Sequence, residues 1–162
     1  MNRFLLGLFM AFAITMSANA QQVFTEIRNK AQATVSDPNT AVMVRQINQF
    51  KVDALNYMAM KMREVMPDSS ATYLDRQAYA MHTFLTLYMK TMLAQRTAPQ
   101  KIQIEHMKLF IDASISNPLF RDNDHDLVLA YYAESDCITR FSLDTDWQRA
   151  YIAVATEMKK IR

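Results

Sequence analysis

The 162-residue chain contains one glycine, Gly7, and none from Gln21 to Arg162. Glycine is the residue that lets a backbone turn left-handed or approach a ligand closely. Without it, Gly-rich phosphate loops, the dinucleotide-binding fingerprint and the G-x-S-x-G nucleophile elbow are excluded. Two-residue hairpins of the Asn-Gly or Asp-Gly type are excluded as well. What remains is helix, and the expected fold class is all-α, a compact bundle of five to six helices.

Gly7 itself lies in a stretch with a different purpose. Asn2 and Arg3 give a short basic start, Phe4 to Met16 is an apolar run, and Ser17-Ala18-Asn19-Ala20 ends in small residues. That is the layout of a secretory signal peptide cleaved after Ala20. Thirteen apolar residues span about 20 Å as a helix, too short for a hydrocarbon core of about 30 Å. A lipid anchor would need cysteine where Gln21 stands. Residues 21–162 are therefore expected to form one exported domain, periplasmic or secreted, with no membrane anchor after cleavage. Without Arg3 the balance is 17 basic against 16 acidic residues, which argues against a nucleic-acid partner. Cys137 is the only cysteine, so no disulfide forms within the chain; burial as a small hydrophobe is the expectation.

Between Thr72 and Gln95, Leu74, Ala78, Met81, Leu85, Tyr88 and Met92 recur at spacings of 4, 3, 4, 3 and 4. Ala80, Phe84 and Leu87 add a second stripe beside the first. An apolar face this wide predicts a central helix packed on two sides. Pro38, Pro67, Pro99 and Pro118 punctuate the chain where helical patterns stop or start. Before the central helix, Phe24, Ile27, Ala31 and Val35 predict one helix near 22–35. Met43, Ile47, Phe50, Ala54, Met58, Met62 and Val65 predict a long second one, with a break possible near Asn48. After it, Ile102, His106, Leu109 and Ala113 predict a fourth; Leu127, Tyr131, Ser135 and Ile138 a fifth; and Trp147, Tyr151, Val154, Met158 and Ile161 a last. Expected N-terminal caps are Asp37 ahead of Pro38, Thr72 with Asp75, Thr97 with Gln100, and Asp144; Asp122, Asp124 and Asp126 open the fifth helix.

Few residues point to chemistry. Asp122-Asn123-Asp124-His125-Asp126 begins like a calcium loop, but Leu127 stands where glycine is needed and Ala133 where a bidentate glutamate belongs. Met58, Met60, Met62 and Met66 fall within nine residues. Thioethers suit a soft ion such as Cu(I), while methionine equally suits a core. Met58, Met62 and Met66 share a helical face and are the soft-metal candidates; Asp122, Asp124 and Asp126 are the hard-cation candidates. His82, His106 and His125 lie on different elements with no zinc-binding spacing. His82 and His106 read as partly buried, hydrogen-bonded histidines. No catalytic residue and no cofactor is expected. The function expected is a non-enzymatic binding or protein-interaction module, with a protein partner or a second copy bound through a helix face. A metal-handling protein is the alternative.

Overall fold

The computed structural model describes residues 22–133 and 139–160, so the expected signal peptide, Cys137, Ser135, Ile138 and Ile161 lie outside the described residues. Among the described residues the chain is all helical, with seven helices and no strand. Five are long: α1 (Gln22–Ser36), α2 (Val42–Val65), α3 (Ala71–Ala94), α4 (Gln100–Ile115) and α7 (Trp147–Lys160). Two are single turns, α5 (His125–Val128) and α6 (Ala130–Ala133).

Helix α3 is the centre of the molecule and packs against α1, α2, α4 and α7. Its two stripes go inward as the spacing requires. Leu74, Ala78, Ala80, Met81, Phe84, Leu85 and Tyr88 are buried, with Leu87 and Met92 half-buried at the margin. Helix α2 runs unbroken past Asn48, whose amide donates to the Val44 carbonyl one turn back (2.8 Å). It buries Ile47, Phe50, Ala54, Met58 and Met62, while Met43 and Val65 at its ends are exposed. In α4 the inward face is rotated from the expected stripe. Phe110, Ile111 and Ala113 are buried, and Ile102, His106 and Leu109 lie at the edge. Phe110 wins because it meets the rings of Phe84 and Tyr88 edge-on, each 5.3 Å away.

Where the fifth helix is expected, the described part of the chain up to Ala133 forms the two single turns. Beyond them, residues 139–146 are non-helical and almost wholly buried. Phe141 enters the aromatic core between Phe50, Phe84 and Tyr88 at 5.1–5.8 Å, and Trp147 follows against Phe50 and Phe84 at 5.9 and 5.4 Å. A buried segment outside helix or sheet must still pair its backbone groups. Here Leu143 N–H donates to the Val128 carbonyl (2.9 Å), Asp146 N–H to the Asn117 carbonyl (2.7 Å) and Ser142 N–H to Ser114 Oγ (3.0 Å). Ser114 and Thr145 hydroxyls are 2.8 Å apart, and Thr145 Oγ1 donates to the Ser142 carbonyl (2.8 Å).

Several caps differ from expectation, and for Asp75 and Asp144 the cause is a distant group that claims the side chain. Asp37 closes a turn on Asn39 and Thr40, and α2 starts only at Val42. No side-chain cap forms at Ser70 or Pro99, the residues that precede α3 and α4. Asp75 instead accepts from Phe24 N–H (2.8 Å), capping α1 from a different helix. The residue capping α7 is Asp146, which accepts from Arg149 N–H (3.2 Å), not Asp144. Fully buried Gln77 of α3 completes that end, donating to Asp146 Oδ1 (3.0 Å) and accepting from Trp147 N–H (2.8 Å).

Asp144 is buried and turned the other way. Its Oδ1 accepts from Leu119 and Phe120 N–H (3.0 and 2.8 Å) and its Oδ2 from Asp122 N–H (2.9 Å). This carboxylate holds the 119–122 loop in a path that forces Arg121 to φ 54°, a left-handed conformation costing about 1–2 kcal/mol for a residue other than glycine. Asp144→Ala would strand three N–H donors, at about 1–3 kcal/mol for each unsatisfied group. Urea unfolding is expected to show a loss of at least about 3 kcal/mol; a loss below about 1 kcal/mol would mean that the loop stands without this carboxylate.

Candidate functional site

The aspartate cluster forms a clamp. Asp122 Oδ2 accepts from Tyr57 Oη and pairs with Lys61 Nζ, both at 2.9 Å and both from α2, and its Oδ1 accepts from Asp124 N–H (3.1 Å). Asp124 caps α5 by accepting from Leu127 N–H (3.0 Å), as expected of an acid at a helix start, and Asp126 is exposed. The Lys61 ammonium, the Asp124 amide and the Tyr57 hydroxyl hold the Asp122 carboxyl at about 2, well below the usual carboxylate range. Tyr57 is pushed up by burial and by its carboxylate acceptor, so it remains a donor. Neither group is poised to exchange protons near neutral pH. Among the described residues no three His, Cys, Asp or Glu side chains converge as metal ligands.

The methionines divide between core and surface. Met58 and Met62 are only 1% and 5% exposed and belong to the apolar core, while Met60 and Met66 face solvent. Met66 follows the last turn of α2, its N–H bonded to the Met62 carbonyl (2.9 Å). Two of the three soft-metal candidates are thus core side chains. Of the histidines, half-buried His106 places Nδ1 2.9 Å from the Ile102 carbonyl, so that nitrogen carries the proton. His125 is exposed, and His82 is half-buried with no hydrogen bond to its ring among the described residues.

An apolar groove of about 520 Å³ lies where α3 meets α7 beside the start of α1. Val23, Tyr79, Ala80, Tyr151 and Ile152 form its apolar wall, and Arg76 stands among its polar groups. Tyr79 and Ile152 are each 63% exposed. Both lie off the inward stripes of their helices, on faces that otherwise carry polar residues. Sequence reasoning missed them, although an aromatic and a branched apolar residue on solvent faces were visible signals. No helix among the described residues is long and apolar enough to cross a membrane.

The clamp gives a pH prediction. A carboxylate held near 2 when folded, against an ordinary value of 3.8, contributes stability above the ordinary value and loses it as pH falls through the folded one. Asp122→Asn is therefore expected to melt below the native chain at neutral pH. The gap should close between about pH 4 and pH 2, where the native carboxylate protonates. Melting curves across that range check it, and a gap of constant size would contradict the assignment.

Comparison with protein-family models, with curated proteins and with solved structures finds no match to the chain.

Proposed function

We propose that this protein is an exported helical binding module that takes a protein partner in the groove between α3 and α7. The observation that supports it is the pair Tyr79 and Ile152, two large apolar side chains left open to solvent across a concave surface. Large apolar residues gathered at one concave site mark interaction surfaces more often than singly scattered ones do. Tyrosine is also among the residues that dominate interface energetics. The acidic groups that a catalytic reading would use are engaged elsewhere: Asp122 with Tyr57 and Lys61, Asp144 with three amides, and Asp75 with the first turn of α1.

The partner is a different protein that offers an apolar side chain to the groove. A second copy meeting the same face by two-fold symmetry would bring like surfaces together, the exposed Arg76 of the groove among them. A photo-crosslinking residue placed at Tyr79 or Ile152, with Lys108 of α4 as the control position, tests this in the exported fraction of the native host. One protein should crosslink from both groove positions and not from the control. Once purified, it should bind the native chain and lose about tenfold or more in affinity to Tyr79→Ala with Ile152→Ala. An adduct to a second copy would replace the partner by a homodimer, and no groove-specific adduct would overturn the reading.

A further inference from the structure

Helices α3, α4 and α7 border a second cavity, of about 450 Å³, that shares no residue with the groove. It lies about two turns further along α3. Leu87, Ala94 and Met158 give it apolar walls, and Thr91, His106, Lys90 and Gln95 supply its polar groups. Its volume is in the range of small-molecule sites, about 300–1,000 Å³.

Two of those polar groups are left unmet. Thr34, Thr83, Thr86 and Thr156, each inside a helix, donate their hydroxyls to the carbonyl four residues back at 2.8–2.9 Å. None of the four is buried. Thr91 is only 6% exposed, yet its hydroxyl makes no such bond and no other among the described residues. The oxygen is not sealed in the core either, so it opens on the cavity that Thr91 lines. A hydroxyl unpaired at that depth is costly. His106 supplies the second group. Its Nδ1 is committed to the Ile102 carbonyl, which can only accept, so in the neutral ring Nε2 carries a lone pair. That nitrogen has no partner among the described residues. Lys90, by contrast, is exposed, joins none of the ion pairs among the described residues, and is met by water.

A free acceptor and a free hydroxyl on one apolar cavity are satisfied together by a single ligand hydroxyl, which donates to the first and accepts from the second. A carboxylate matches less well. It has no proton for the Nε2 lone pair, and an exposed ammonium offsets its loss of water only weakly. We propose that the cavity between α3, α4 and α7 binds a small uncharged molecule with an apolar body and one hydroxyl group, an alcohol or a phenol. Leu87, Ala94 and Met158 cover the body, His106 Nε2 accepts from the hydroxyl, and Thr91 Oγ1 donates to it. The site does not depend on the groove or on a protein partner.

The test is nuclear magnetic resonance of the native chain at about pH 8, where histidine is ordinarily neutral. Phenol and 1-hexanol are titrated separately, each alongside its methyl ether and the matching carboxylate, benzoate or hexanoate. The His106 ring and the Met158 methyl report on the cavity. Phenol, 1-hexanol or both should shift these signals saturably, and whichever binds fixes the apolar body as aromatic or aliphatic. The methyl ether keeps that body but has no proton to donate, so it should bind at least about tenfold more weakly. Thr91→Val, which exchanges the hydroxyl for a methyl, should weaken the hydroxyl compound by at least about tenfold, while Thr91→Ser retains it. An ether that binds as tightly as its parent, a carboxylate that binds more tightly, or a Thr91→Val chain that binds like the native one would each overturn the proposal. So would the absence of a saturable shift with every probe.

Discussion

The bundle depends on one unusual burial. Residues 139–146 cross the core without helix or sheet, and a backbone in that position is tolerated only when its polar groups are paired. Buried Ser114, Ser142 and Thr145 supply that pairing, and buried Gln77 takes the Trp147 N–H that follows. Because the segment is held, Phe141 and Trp147 can be delivered to Phe50, Phe84 and Tyr88, which α2 and α3 present from the other side. Removing the polar groups would therefore cost more than their own hydrogen bonds, since the aromatic packing relies on where they hold the chain.

The same network explains where function is sought. Buried polar groups that are fully engaged specify a structure and have nothing left to offer a substrate. Asp144 is committed to the 119–122 loop, Asp122 to α2, and Gln77 to the start of α7. The outer faces of α3 and α7 show the opposite condition. There Tyr79 and Ile152 are uncovered. That uncovered surface between the two helices is what the proposed function draws on.

Periodicity made much of this legible in advance. The central helix was expected over Thr72–Gln95 and runs over Ala71–Ala94, because a double stripe of apolar residues leaves little choice of period or face. Caps were less readable. Asp144 and Asp146 sit in the same Asp-Thr-Asp run, and which of them caps α7 is decided by Gln77, far away in the sequence. Asp75 resembled a local cap and serves α1 instead. The stripe through Leu127 and Tyr131 suggested one helix, whereas the chain makes two single turns there. The burial of Ser142 and Thr145 near Trp147 was not legible, since local pattern does not show that polar residues will find buried partners. Tyr79 and Ile152 were visible one by one, and their convergence follows only from the packing of α3 on α7.

Amide hydrogen exchange under native conditions tests the central claim most directly. The account predicts that the amides of Ser142 and Asp146, with those of Leu119 and Phe120 held by Asp144, exchange only by global unfolding, with opening free energies within about 1 kcal/mol of the stability from urea melts. Opening free energies near those of an exposed turn such as 37–41 would contradict it, and would show a bundle whose helices pack without help from the buried segment.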